Sequence, residues 1–476
     1  QVLNGMSGIT DLSNFARHFK CSGKNTCCSN LYCDTRLCKG TFSVFDLIEL
    51  VYSQHTPFIL DCPELESWIG SSISNIHINW LIKFLPWLIS IGKTPAAQRI
   101  ITNNIIPLAL DNIEFAYAIY FECETLRGSE LKSYYMAIQS RLMSGLDKTT
   151  QENIRKSHRL LRICEDPLKL INSMVNVDGI LLPYDPKTTV KSIIHSKIRQ
   201  VNSFTKPWII PMNTSRGRIE ILQKDDDLRK DRLVIITMHL LRSVDHRLCF
   251  HTYHVFPITC ESGWIEMIPD SNTVYDINRT STIQNYIISF NRTETSAVLR
   301  DKFMYSCTSN CVLGYMLGLG DRNLHNILIC GKTATIANID FSYLLGYDPK
   351  HIESTEMKIT SGMVDMLGGY DSQEFKSLKI MCSSIYASIR LYTHFWYSLF
   401  RYLAVTSPPI YPHAGDLKTL QDHMNQRLMP NATDDEVNVA IVKSVDSNSD
   451  SWKSSISDMA HSVKTNITGL FFNLEL

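Results

Sequence analysis

The residues best suited to chemistry lie between Gly318 and Ser342. The segment runs Gly-Leu-Gly-Asp321-Arg322-Asn323-Leu-His325-Asn326-Ile-Leu-Ile and, after a short turn, Ile339-Asp340-Phe341-Ser342. An Asp, an Asn five residues later, and an Asp-Phe across a hairpin form a pattern suited to phosphoryl transfer. The transferred group spreads negative charge over its oxygens, so catalysis depends chiefly on positioned cations and donors. Asn326 and Asp340 offer hard oxygen ligands for magnesium from opposite arms of the hairpin. Asp321 can hold the loop or help orient the acceptor hydroxyl. The plainer reading is an Asp-Arg ion pair beside an Asn-bearing turn, but the spacing of all the groups together favours chemistry. The Gly331-Lys332-Thr333 turn is a plain hairpin turn and no P-loop, which needs a glycine where Asn326 stands.

These groups need a hairpin set among helices. Ile327–Cys330 and Thr335–Ile339 read as its strands. Upstream, Ile209–Pro211, Ile219–Leu222, His254–Ile258 and Trp264–Ile268 are short, apolar or alternating, and bounded by turn formers, as strands are. They surround one helical run, Leu228 to Leu241, which follows the acidic cluster Asp225–Asp227; carboxylates suit the positive start of a helix. Earlier still, apolar residues recur at helical steps in Phe45–Val51, Trp80–Ile91, Ile100–Leu110 and Ile113–Phe121. The expected fold class is α+β. Residues 1–41 are an unassigned Cys/Ser-rich extension, and 42–178 an α-helical, solenoid-like accessory domain. Residues 179–476 are a bilobal, protein-kinase-like catalytic domain, with a small lobe over 179–268 and a large lobe over 269–476.

Composition sets outer bounds. The 476 residues are 44% hydrophobic and 20% charged, as in ordinary globular proteins. Lys plus Arg equals Asp plus Glu at 47 each, so no bulk field points to nucleic acid, although a local attraction to acidic membranes stays open. The first residues show no charged n-region followed by an apolar h-region, so no secretory signal is expected. The expected compartment is therefore cytoplasmic, and the sequons at Asn213, Asn278, Asn291, Asn431 and Asn466 read as chance matches. The most apolar stretch, Trp80 to Ile91, contains Lys83 and Pro86, is too short to span a bilayer, and reads as a buried helix. Cys21, Cys27, Cys28, Cys33 and Cys38 crowd together without paired zinc-ligand spacing or a nearby His. A surface loop with reduced thiols is favoured over a metal site.

The segment 318–346 resembles the catalytic and metal-binding loops of phosphatidylinositol 3-/4-kinases, whose pattern is Gly-Asp-Arg-His-x-x-Asn followed by His-Ile-Asp-Phe-Gly. Tyr305 to Cys311 resembles the helix leading into that loop, and Met357 to Gly369 the segment after the activation loop. Gly346-Tyr-Asp348-Pro349-Lys350 and Leu182-Pro183 are most similar to class III, the vacuolar-sorting branch. The resemblance covers about residues 45–476 and is strongest after 180. It implies a lipid kinase using Mg-ATP (with Mn²⁺ as an alternative ion) on membrane phosphatidylinositol, giving the 3-phosphate for vesicle trafficking and autophagy. It also implies a regulatory subunit of the class III kinase complex, no nucleic-acid partner, and a peripheral location on endosomal or vacuolar membranes. By the same resemblance, Lys224 neutralises nucleotide phosphates and Asp231 holds it by an ion pair. Ser203 and Pro207 match the phosphate-covering loop. Tyr253 and the run Glu266, Met267 and Ile268 match the adenine pocket and hinge. Asp321, Arg322, Asn323 and Asn338 occupy catalytic positions, Asn326 and Asp340 hold metal, and Lys350 and Lys358 of the activation loop face substrate. Lys224 stands one residue nearer the Asp pair than the family pattern expects.

Three departures stand out. Asn323 and Asn338 replace the family's two histidines, and Ser342 replaces the glycine after Asp-Phe. An Asn amide donates a hydrogen bond but cannot act as a base near neutral pH. Loss of a general base costs about 100- to 10,000-fold, although loose phosphoryl transfer depends on one less than acyl transfer does. Ser342 adds a side chain where the backbone was permissive and can bias the loop. His325 reads as a solvent-facing loop histidine rather than a displaced base. The last helix, about Asp450 to Phe472, could insert at a membrane or bury against the large lobe. The competing functions are an active but slowed 3-kinase, a pseudokinase scaffold of a membrane-trafficking complex, and a phosphatidylinositol 4-kinase.

Overall fold

The computed structural model describes residues 70, 73–74, 76–90, 95–173, 175–202, 205–345, 357–405 and 417–449. The run Phe45–Val51, the Cys21–Cys38 cluster, Ser203, Lys350 with the rest of 346–356, and the segment 450–472 lie outside the described residues.

The chain is mixed α and β, in two compact units. The first takes in residues up to Arg232, His254–Met267 and His394–Leu417. Ahead of its sheet, the described residues form α1 Ile78–Ser90, α2 Pro95–Ile100, α3 Ile106–Leu110, α4 Ile113–Thr125, α5 Lys132–Gly145, α6 Lys148–Cys164 and α7 Pro167–Ile171. The expected helix over Ile100–Leu110 is interrupted by a π-turn at Ile101–Ile105. Pro107 lacks the N–H that would close an ordinary turn there, and the register widens.

Strands β1 Ile180–Leu182, β2 Asp185–Ile193, β3 Arg199–Gln200, β4 Trp208–Thr214, β5 Gly217–Lys224, β6 Val255–Pro257 and β7 Gly263–Glu266 form one sheet. Its order is β1-β2-β4-β5-β7-β6, with β3 on β4. The four strands expected between 209 and 268 form, with β4 and β5 extended at their ends. β1, β2 and β3 are additional.

Helices and sheet share one core in this unit. Ser157 Oγ of α6 donates to Leu181 O at 2.6 Å, and Thr125 Oγ1 of α4 donates to Pro257 O at 2.9 Å. Trp87 of α1 is fully buried; its ring lies 5.0 Å from that of Tyr402, and its Nε1 donates to Leu399 O at 2.9 Å. Buried Glu122 and half-buried Arg232 form a two-pronged pair at 2.6 and 3.0 Å.

Helix α8, Arg229–Val244, begins in the first unit and runs into the second after Arg232. The second unit takes in Leu233–Tyr253, Ile268–Thr393 and Lys418 onward. It contains β8 Ser271–Thr273, α9 Val274–Thr280, α10 Ile283–Phe290, α11 Ser296–Leu317, β9 Ile327–Cys330, β10 Thr335–Asn338, α12 Ser361–Met366 and α13 Gln373–Arg390. After α14, Thr393–Val405, the chain returns with α15 Leu417–Leu428 and α16 Asp434–Ser449. The three-stranded sheet is antiparallel, in the order β10-β9-β8. α11 is buried nearly all round from Ser306 to Leu317 and ends on Gly318, whose φ of 54° is a left-handed cap open to glycine without strain. That turn starts the loop of interest.

Candidate active site

The loop after Gly318 is held by one buried side chain. Arg322 is 7% exposed; its Nε donates to Gly320 O at 2.9 Å, one terminal nitrogen donates to Ile339 O at 2.8 Å, and the other donates to Asp340 O. Its guanidinium also lies over the Phe341 ring at 5.5 Å. One planar fork therefore ties the loop 320–326 to the far arm of the hairpin. Backbone bonds continue the connection, from Ile339 N to Asn326 O at 3.1 Å and from Gly320 N to Tyr343 O at 3.1 Å.

This brings Asn326 and Asp340 to the same end of the β9–β10 hairpin, whose last paired residues are Ile327 and Asn338. Asn326 Nδ2 donates to Asp321 O at 3.0 Å and approaches Asp321 Oδ2 at 3.4 Å. Two oxygen neighbours settle which end of the amide points there, leaving Oδ1 as the atom a cation would take. Asp340 Oδ1 accepts from Ser342 Oγ at 2.6 Å. An amide oxygen and a carboxylate at one hairpin end suit magnesium. Asp321 and Asp340 both have positive φ, 49° and 58°. Each costs on the order of 1 kcal/mol in a non-glycine residue, and the bonds just described hold them there.

The two asparagines at the histidine positions each make a structural bond. Asn323 is buried, and its Oδ1 accepts from His325 N at 2.9 Å, closing the loop as an Asx turn. Asn338 Nδ2 donates to Asn310 Oδ1 at 2.8 Å; Asn310 Nδ2 in turn donates to Ser306 O at 2.8 Å. Tyr253 Oη donates to Asn338 O at 3.2 Å. Asn310 was not anticipated. Its signal is a polar residue in a run of α11 that buries almost everything else.

Two expectations change. His325 does not face solvent freely: its ring stacks on Tyr275 at 4.0 Å with 29° between planes. Tyr275 is brought there because its N–H bonds Leu324 O at 3.1 Å. Ser342 does more than restrict backbone, because its hydroxyl bonds the Asp340 carboxylate.

Lys358 is half-buried and lines one cavity with Asn310, Arg322 and Asn338, against the apolar side chains of Ile359 and Met363. Tyr253 and Ile268 pack on the hairpin through Cys330 and Ala337. His251 braces the same hairpin through Thr335 at 3.2 Å, and burial lowers its imidazole pKa.

The remaining expected residues belong to the first unit. Lys224 is buried at the end of β5, with its Nζ 2.9 Å from Asp226 Oδ2. Asp231 is buried in the first turn of α8. Pro207 is buried, and its carbonyl accepts from Val201 N at 2.8 Å. Glu266 turns its carboxylate to Tyr184 at 2.8 Å and Arg216 at 3.0 Å, so its side chain is tied to the β1–β2 and β4–β5 connections. Met267 N bonds Glu220 O at 2.8 Å, and its side chain is 37% exposed.

Residues 220–409 match the family model described as phosphatidylinositol 3- and 4-kinase. Among characterised proteins, the chain is 26% identical over 362 residues to phosphatidylinositol 3-kinase VPS34 of Arabidopsis thaliana, covering 72% of this chain and 43% of that protein. It is 24% identical over 416 residues to the Saccharomyces cerevisiae protein of the same name, covering 80% of this chain and 46% of that one. Phosphatidylinositol 3-kinase 2 of Dictyostelium discoideum is 28% identical over 296 residues, 56% of this chain and 15% of that protein. The chain thus spans less than half the length of these relatives. No helix among the described residues is long and apolar enough to cross a membrane.

Proposed function

From a chain that carries a divergent phosphatidylinositol 3- and 4-kinase domain, we propose an enzyme that transfers phosphate from ATP to the inositol 3-hydroxyl of membrane phosphatidylinositol. The observation that carries this reading is the Arg322 clamp, which joins the Asp321–Asn326 loop to Asp340 across the hairpin. Positioning is the main requirement of phosphoryl transfer, and a rigid fork supplies it. When bound, Mg²⁺ or Mn²⁺ would neutralise charge on the phosphate oxygens, with Asn326 and Asp340 as its ligands.

The other roles follow the chemistry of each group. Lys224, with Asp231 near the start of α8, meets the nucleotide phosphates. Ser203 and Pro207 cover them, and Tyr253 with the backbone of Glu266, Met267 and Ile268 receives the adenine. Lys350 and Lys358 attract the lipid headgroup phosphate. Asp321 orients the acceptor hydroxyl, because the Asn323 and Asn338 amides cannot take a proton near neutral pH, and each already makes one bond that holds the loop or hairpin. The expected setting is a class III type complex with a regulatory subunit, peripheral on endosomal or vacuolar membranes, serving trafficking or autophagy.

Asparagine in place of a base at both positions favours the second reading, a scaffold that keeps the fold without turnover. Purified chain incubated with Mg-ATP and phosphatidylinositol vesicles decides between them. The 3-phosphate should form above an Asp340→Ala control. Formation of the 4-phosphate would move the assignment to a 4-kinase. No turnover above the control, with nucleotide binding intact, would assign the scaffold.

A further inference from the structure

Helix α6 carries a feature that phosphoryl transfer does not use. It is capped by Asp147 and buries Ile154, Ser157, Leu160, Leu161 and Cys164 along one side. At 100° per residue the opposite side presents Lys148, Arg155, Lys156, Arg159 and Arg162, all exposed, with Glu152 as the one acid among them. A helix of this length runs about 25 Å; Lys148 stands at its start and the other four cations gather in its second half, from Arg155 to Arg162. Arg155 pairs loosely with Glu152 at 3.6 Å. Among the described residues the other four cations make no ion pair, although the chain as a whole is electrically balanced. An ordinary solvated helix face alternates charge signs and forms pairs three and four residues apart; here Glu152–Arg155 is the single such pair among five cations. The chain then turns into α7, where Leu168 is 62% exposed and Ile171 38% exposed.

We propose that this face of α6, with Leu168 and Ile171 beside it in sequence, is a docking surface for anionic lipid. Unpaired cations along a helix followed by exposed aliphatic side chains are the pattern of an interfacial membrane contact, in which the charges meet acidic headgroups and the aliphatics enter the headgroup layer. An aromatic-free stripe lacks the stacking groups that nucleic-acid surfaces use. The inference goes beyond the kinase reading and does not depend on it.

The test is sedimentation of the purified chain with vesicles of phosphatidylcholine alone or with added phosphatidylserine. Each basic residue near an anionic surface strengthens binding about fivefold. Replacing Lys156→Gln, Arg159→Gln and Arg162→Gln together should therefore weaken binding to the phosphatidylserine vesicles on the order of 100-fold. Binding to phosphatidylcholine alone should not change, and raised salt should erase the difference. Glu152→Gln should strengthen binding about fivefold, a gain that misfolding cannot imitate. Equal binding to both vesicle types, or indifference to both sets of substitutions, overturns the proposal, and so does selective retention by an immobilised acidic peptide with no vesicle binding. Turnover on soluble short-chain phosphatidylinositol, measured alongside, should be unaffected by these substitutions. It reports on the kinase reading separately.

Discussion

Arg322 is the most decisive residue to perturb. Arg322→Ala removes a buried guanidinium that donates to three backbone carbonyls, at Gly320, Ile339 and Asp340, and covers the Phe341 ring. Leaving a buried acceptor unsatisfied costs about 1–3 kcal/mol. The cavity beside Arg322 gives water access to part of this space, so a total of about 3–5 kcal/mol is expected rather than the full sum. For a unit of this size, thermal unfolding should fall by about 2–4 °C per kcal/mol. The effect on turnover should be larger, because the Asp321–Asn326 loop would no longer be tied to Asp340, and a displacement near 1 Å costs about 100-fold. Arg322→Lys sharpens the test. It keeps the charge but loses the planar fork, and one ammonium cannot serve three carbonyls spread along two chain segments. Its stability loss should be about 2 kcal/mol, with turnover still far below that of the unaltered protein. The assays are calorimetry and initial rates with Mg-ATP and phosphatidylinositol vesicles. A lysine variant as stable and as active as the unaltered protein would refute the clamp.

Asn323→His should raise the turnover rate by restoring an imidazole, while losing the acceptor for His325 N and lowering the melting temperature; an unchanged rate would show that the missing base is not limiting. Glu122→Gln should cost about 3–5 kcal/mol by leaving the Arg232 guanidinium uncompensated, and the apolar pair Glu122→Leu with Arg232→Met should recover much of that in a denaturation series. His423 is buried beside Arg427, and burial first, then that charge, lowers its pKa to about 3. The folded state therefore keeps it neutral while the unfolded chain protonates it below about 6.5, so its contribution is present above that value and is lost as pH falls toward 3. The melting temperature should drop from pH 7 to pH 5, and His423→Leu should drop less. Gly263→Ala should destabilise the first sheet by about 1–3 kcal/mol, because a Cβ there would come within 2.7 Å of the Phe256 carbonyl and 2.6 Å of Leu228; an unchanged unfolding midpoint would show that β6 and β7 can shift apart freely.

Much of the frame was legible locally. The helix read from Leu228 to Leu241 forms at Arg229–Val244, because its apolar spacing and acidic start act within a few turns. The hairpin read over Ile327–Ile339 forms with its second strand ending at Asn338, where Asp340 bends the backbone. β2 was not legible. The side chains it turns inward include Pro186 and Thr188, which carry little hydrophobic signal, and their burial depends on neighbouring strands. β8 is three residues long and polar, and is a strand only because β9 pairs with it.

The site divides in the same way. Residue spacing alone put Asp321, Asn326 and Asp340 around a hairpin, since turn and strand lengths determine which backbone positions meet. It could not say what Arg322 would hold. The Ile339 and Asp340 carbonyls lie 17 and 18 residues away in sequence. Nor could it show that Asn338 is spent on Asn310 of the preceding helix, that His325 lies against Tyr275, or that Ser342 bonds Asp340. Side-chain direction depends on what packs opposite, and the partner arrives through the tertiary fold. The sequence by itself determined which groups are present and how far apart along the chain they stand. Only the tertiary structure decided which of them remain available for chemistry and which are consumed in holding the loop.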